Sequence, residues 1–133
     1  MKKSSKFIII VMTSALALPA VVSAGPAQNK VIALYGAPSS FSAARGKTLF
    51  LGNHKGGKAA TPSCATCHTQ DPRASGRTRA GKVIAPMAVS KTPSRFTDAK
   101  KVAKWARRNC KSVLGRECTK TEIGDILTYL SSI

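Results

Sequence analysis

Acidic and aromatic residues are both scarce in this sequence. Five Asp plus Glu face 22 Lys plus Arg in 133 residues, a formal net charge of +17. That imbalance excludes an electrically balanced surface and points to an acidic partner or an anionic surface, without saying which. Aromatics make up only 5 %, with one Trp, two Tyr and four Phe, so the usual large core fillers are few. Strand signals are absent apart from short runs such as Val83-Ile84, and there are no internal repeats. The chain nevertheless is 43 % hydrophobic, too apolar for a disordered polycation, and its length suits one domain.

The N-terminus reads as a secretory signal peptide, residues 1–24. Lys2, Lys3 and Lys6 form a positive start, Phe7 to Val22 is uncharged and mainly apolar, and Val22-Ser23-Ala24 suits cleavage. A permanent membrane anchor is the alternative. A span wants about 20 apolar residues, and Thr13, Ser14 and Pro19 interrupt this shorter run. Cleavage after Ala24 leaves one domain, residues 25–133, with 19 basic and 5 acidic side chains and a charge of +14. Export of this kind implies the periplasm, where disulfides persist.

The four cysteines fall into two chemically different pairs. Cys64-Ala65-Thr66-Cys67-His68 is a C-x-x-C-H haem-attachment motif. Two thiols at that spacing reach the two vinyl groups of a haem as thioethers, and the adjacent imidazole becomes the proximal iron ligand. A thioredoxin-like dithiol would need a βαβ setting that is missing here. A structural zinc site would need a second close pair of ligands. One covalently attached haem c also supplies the apolar bulk that the aromatics do not. Cys110 and Cys118 then have only each other to pair with inside the chain, and export favours that bridge over two free thiols.

Three helices are expected around a long irregular middle. The first is capped by Ser39 or Ser40 and runs to about Leu51, with Gly46 and Phe50 one turn apart on one face. Gly46 would let another helix approach closely. Residues 52–63 read as a Gly- and Lys-rich loop, and the prolines and glycines of residues 69–96 argue against a regular element. Thr97 caps a second helix through about Asn109, with Val102, Trp105, Ala106 and Asn109 on one face. The third opens with a capping box, Thr119-x-x-Glu122, and has an apolar face of Ile123, Ile126, Leu127, Leu130 and Ile133. The fold class is therefore all-α: a small helical domain wrapped around its haem.

Function turns on the sixth position of the iron, for which three side chains compete. Met87 is the only Met after the signal peptide; a thioether ligand would make an electron carrier, whereas the plain alternative is a packing contact. His54 could give a bis-His haem, although a solvated loop position is the plainer description. Asn109 sits among apolar residues, where an unpaired amide would cost roughly 1–3 kcal/mol; the plain alternative is a helix-end asparagine bonding backbone groups.

The segments Phe96-Thr97-Asp98, Lys104-Trp105-Ala106-Arg107-Arg108-Asn109-Cys110 and Gly115-Arg116-Glu117-Cys118-Thr119, with the C-x-x-C-H upstream, resemble the sphaeroides haem protein family. These are small, class I-like, exported c-type cytochromes, and the resemblance covers the chain from about residue 38 onward. It implies Cys64 and Cys67 as covalent haem attachments, His68 as proximal ligand, Asn109 as distal ligand and a Cys110–Cys118 disulfide, with Met87 off the iron. It also implies small ligands such as oxygen, nitric oxide or cyanide, and a dihaem cytochrome c as redox partner. Chemistry agrees: an amide oxygen is a hard, weak donor that suits ferric better than ferrous iron, so reduction should loosen Asn109. The leading expectation is a cytochrome that binds ligands when reduced and meets an acidic redox partner, with ligand binding and electron transfer ahead of any dedicated turnover. A plain electron shuttle with Met87 on the iron is the alternative. Nucleic-acid binding is not expected, because the lysines are not interleaved with aromatics and the chain is exported.

Overall fold

Two helices meet at Gly46 so closely that no side chain fits between them. In the computed structural model, which describes residues 24–133, α2 (Ala43–Leu51) crosses α5 (Lys120–Ser131) there. An ideal Cβ on Gly46 would lie 2.0 Å from the Asp125 carbonyl oxygen. The expected close approach at Gly46 is thus a backbone-to-backbone crossing with the last helix. Asp125, 4 % exposed, locks it: its carboxylate accepts from the Ser42 amide at 2.7 Å and from Arg45 Nε and Nη2 at 2.7 and 2.8 Å. A buried carboxylate keeps its charge only when paired and hydrogen-bonded in this way. One turn beyond Gly46, Phe50 packs with Tyr129 and Leu130 of α5, its ring edge-on to Tyr129 at 6.2 Å.

The other elements are α1 (Pro26–Ala33), a 3₁₀ turn (Pro38–Ser40), α3 (Ala65–His68), β1 (Gly76–Arg77), β2 (Val83–Ile84) and α4 (Ala99–Leu114). Helix content dominates, as expected of an all-α class. β1 and β2 pair antiparallel, Gly76 opposite Ile84 and Arg77 opposite Val83, a two-residue ribbon in the middle segment expected to be irregular, with β2 on the short Val83-Ile84 run that carried a strand signal. No helix among the described residues is long and apolar enough to cross a membrane. The expected signal peptide lies outside the described residues, apart from Ala24.

Three boundaries differ from the sequence reading. Ser39 and Ser40 belong to the 3₁₀ turn, and Ser42 caps α2 by accepting from the Arg45 amide at 3.2 Å. Asp98, not Thr97, caps α4 through the Lys101 amide at 3.0 Å; the Thr97 hydroxyl donates to Ser94 instead. α4 also runs on to Leu114, where Gly115 ends it at φ +72°, because only glycine takes that left-handed turn without strain. The capping box of α5 is present as read, with Thr119 and Glu122 bonding each other's backbone amides at 3.1 and 2.8 Å.

α1 was not expected. It is short, follows Gly25-Pro26 directly, and owes its place to tertiary contacts. Val31 and Ile32 join Val102 of α4 and Leu127 of α5 in one core cluster, while the buried Gln28 amide donates to the Pro93 and Arg95 carbonyls at 2.8 and 3.0 Å. The long middle segment is anchored likewise. Pro72 accepts from the Met87 and Ala88 amides, and the Val89 and Ser90 amides donate to Leu130 and Ile133 at the end of α5.

Replacing Gly46 with Ala forces the crossing apart. Thermal or denaturant unfolding should show a loss of about 1–3 kcal/mol or more, the range for overpacking. A second expectation concerns pH. The Arg116 guanidinium, bonded to Glu122 at 2.8 and 2.7 Å, holds that carboxyl well below its ordinary value, at about 2. A carboxylate depressed in the folded state stabilises fully above its unfolded value near 4.5 and loses that contribution as pH falls towards 2. Glu122→Gln keeps the cap and removes the charge, so its modest Tm deficit at neutral pH should shrink steadily below pH 4.5 and vanish near pH 2.

Candidate haem-attachment site

The C-x-x-C-H segment is a single helical turn wedged beside the α2–α5 crossing. Ser63, nearly buried, sets its start: the hydroxyl donates to the Phe50 carbonyl at 3.2 Å and accepts from the Ala65 amide at 3.1 Å. The Cys67 and His68 amides both return to the Cys64 carbonyl. Immediately afterwards Thr69 stands at φ +64°, ψ 162°, a conformation a β-branched residue adopts only when its surroundings enforce it. β1 closes over the turn through Gly76, where an ideal Cβ would lie 2.0 Å from the Cys67 carbonyl oxygen.

His68 lies against Phe50, ring centroids 5.9 Å apart. Its Nδ1 is buried and has no hydrogen-bond partner among the described residues. Burial, with the Arg95 charge adding to it, pushes its pKa down to about 4, so the imidazole is neutral at physiological pH and its nitrogen lone pair is available. Cys64 and Cys67 are free thiols, and burial pushes Cys64 up to about 11, which keeps it protonated until it reacts. Arg95 itself is half-buried, its guanidinium held by the Pro86 and Ala85 carbonyls at 3.0 and 2.5 Å.

Asn109 is in the interior of α4, five residues before the helix ends, so the helix-end alternative does not apply. It is half-buried on the stripe formed by Val102, Ala106, Cys110 and Val113. Its amide makes no side-chain hydrogen bond among the described residues. Trp105 departs from the expected face: it is 48 % exposed, lying between Lys104 and Arg108 at 5.8 and 5.3 Å. No helix among the described residues packs along the length of α4; it is held at its ends. Val102 and Ala99 fix the first turn in the α1 cluster. At the other end Cys110 is bridged to Cys118, Cα atoms 5.6 Å apart.

The loop leading to Cys64 grips that same end of α4. Gly56 and Gly57 press their backbone onto the carbonyls of Leu114 and Ser112. The Lys58 amide donates to the Ser112 carbonyl at 2.7 Å, and the Thr61 hydroxyl meets the Ser112 hydroxyl at 2.9 Å. Cys64, Cys110 and Cys118 all line one apolar cavity of only about 10 Å³, so the fold brings the two cysteine pairs together. The remaining candidates are placed elsewhere. His54 Nε2 bonds the Leu49 carbonyl at 2.9 Å, a structural use. Met87 packs on the Phe50–Tyr129–Leu130 cluster, the same cluster whose Phe50 ring faces His68. Sequence reasoning missed Ser63, Gly76, Arg95 and the Gly56-Gly57 contact; only the glycine doublet carried a readable signal, that of a close backbone approach.

Comparison with known proteins bears on the whole arrangement. Residues 36–130 match a family described as a domain of unknown function, DUF1924. The chain is 48 % identical over 128 residues to the cytochrome c-type protein SHP of Cereibacter sphaeroides, covering 92 % of this chain and 96 % of that protein. It belongs to the sphaeroides haem protein family. The solved structure of oxidised SHP, described as an oxygen-binding cytochrome c, superimposes with TM-score 0.73 at 50 % identity, covering 77 % of this chain and 94 % of that one. Cytochrome c'' of Methylophilus methylotrophus is 34 % identical over 98 residues, covering 73 % of this chain and 66 % of that protein. Its oxidised crystal structure superimposes with TM-score 0.64, covering 78 % and 92 % of the two chains. Its solution structure, which concerns haem-ligand detachment, gives 0.62 over 80 % and 93 %.

Like these relatives, this sphaeroides haem protein family member is a c-type cytochrome with a covalently attached haem c. Its residues fit the group. Cys64 and Cys67 are the free cysteines among the described residues, and beside them stands a neutral imidazole whose buried Nδ1 has no hydrogen-bond partner among those residues. Gly76→Ala should disturb this turn, because the added methyl meets the Cys67 carbonyl. The haem-to-protein ratio of the purified variant is expected to fall well below that of the wild type.

Proposed function

We propose that this cytochrome is redox-gated, with His68 as proximal and Asn109 as distal iron ligand, and that Asn109 lets go on reduction so that a small ligand such as oxygen, nitric oxide or cyanide can bind. A haem joined through Cys64 and Cys67 would supply a one-electron couple and an iron that these side chains could ligate. His68 contributes a neutral nitrogen donor, steadied by the Phe50 ring. Asn109 contributes an amide oxygen, a weak donor that prefers the ferric state. Once released, its NH₂ remains on α4 and can donate to a ligand's outer atom.

The observation that carries this reading is the Asn109 amide itself: half-buried, in mid-helix, and without a side-chain hydrogen bond among the described residues. Its neighbour Cys110 is clamped by the disulfide, which supports a fixed return position for a ligand that comes and goes. The oxygen binding named for SHP and the ligand detachment named for cytochrome c'' lend support from relatives. Met87, packed against the Phe50–Tyr129–Leu130 cluster, reads as packing. A signal peptide over residues 1–24 would take the protein to the periplasm, where an acidic redox partner, a dihaem cytochrome c by family resemblance, would reduce it. Ligand binding and electron transfer come ahead of dedicated turnover in this reading.

A spectrum tests it. Protein reduced with dithionite should turn high-spin and take up carbon monoxide rapidly; a low-spin spectrum indifferent to carbon monoxide would refute the reading. Asn109→Ala should change the ferric spectrum strongly while Met87→Ala leaves it nearly untouched. The opposite pattern, with a methionine-to-iron charge-transfer band in the oxidised wild type, would establish Met87 as the ligand.

A further inference from the structure

The outer side of α4 carries a feature that the haem chemistry does not use. A groove of about 500 Å³ runs beside the helix, between Lys100, Lys104 and Arg107 on one wall and Tyr35, Ile123 and Cys118 on the other. None of its three cations meets a carboxylate among the described residues; the ion pairs there are Arg45–Asp125, Lys111–Glu117 and Arg116–Glu122. Glu117, the one acid on the groove, is already engaged by Lys111 at 3.2 Å. The groove therefore presents uncompensated positive charge above an apolar and aromatic floor, the composition of a docking site for carboxylate-bearing protein.

Its position identifies the kind of protein. Cys118 lines this groove and also the small apolar cavity that Cys64 and Cys110 line. One end of the disulfide thus borders both an external basic surface and the cavity at a haem-attachment cysteine. A donor seated in the groove would touch Cys118, which borders the cavity that Cys64 also lines.

We propose that this groove is where an acidic one-electron donor protein docks, with its carboxylates on Lys100, Lys104 and Arg107 and its redox centre over the Cys110–Cys118 bridge. One electron leaves the donor's reduced centre and reduces the ferric iron; the disulfide is a contact and is neither reduced nor cleaved. The proposal rests on the redox-gated reading for its purpose but not for its test, since docking and reduction can be measured whichever residue is the distal ligand.

Flavodoxin, an acidic one-electron carrier, serves as the probe for the holoprotein. Two variants of equal charge change are compared: Lys100→Glu with Lys104→Glu on the groove, and Arg79→Glu with Lys82→Glu on the β1–β2 turn. Affinity for oxidised flavodoxin is read by calorimetry, and reduction by its hydroquinone by stopped flow. At low ionic strength the groove variant should lose on the order of tenfold in both affinity and bimolecular rate, and its salt dependence should flatten, because directed charge steering is worth that much. The turn variant should stay within about twofold of wild type. Equal losses in both variants would reduce the effect to net charge, and no loss in the groove variant would remove the site; either result overturns the proposal. So would a groove variant that loses binding to phosphatidylglycerol vesicles while flavodoxin reduction is unchanged, since that would make the face a membrane contact.

Discussion

The contact between Gly46 and the Asp125 backbone is what the other parts of this protein depend on. Because no side chain separates α2 from α5, Phe50 one turn later is held against Tyr129 on one side and His68 on the other. Asp125 makes the crossing directional, since its two oxygens are shared between the α2 cap and Arg45. The haem-bearing turn then hangs from the end of α2 through Ser63 and the Phe50 carbonyl, and the long middle loop hangs from the end of α5. A fault at Gly46 would therefore be felt first in the orientation of the imidazole.

The helix with the proposed distal ligand follows a different rule. α4 is tied by a core cluster at its start, and by a disulfide and a glycine-lined loop at its finish. No helix among the described residues packs extensively on its middle. The loop that grips its end is the one that delivers Cys64, so the haem-attachment turn and α4 share a frame. Such an arrangement fixes where Asn109 is without bonding what it carries, which is what a detachable ligand requires.

Much of this was legible in the sequence because it rests on local rules. The C-x-x-C-H spacing, the Thr119–Glu122 box and the Gly46–Phe50 pair each encode their geometry within one or two helical turns. The family resemblance added the Asn109-Cys110…Cys118 cluster. What escaped was set by tertiary contact. α1 is stabilised by Val31 and Ile32 finding Val102 and Leu127 far along the chain. Asp98 displaced Thr97 as cap because the Thr97 hydroxyl already had a partner in Ser94. Arg95 and Gly76 look unremarkable in a basic, glycine-punctuated loop, and only folding brings the one electrically close to His68 and the other onto Cys67.

The placement of Trp105 has an optical consequence. It is the only indole in the chain, half in solvent between two cations, on the same helix as Asn109 and one turn before it. Porphyrins absorb where indoles emit, so the fluorescence of this single residue is a ruler between α4 and the cofactor. No other residue of the chain emits as an indole does, so that signal reports on α4 alone.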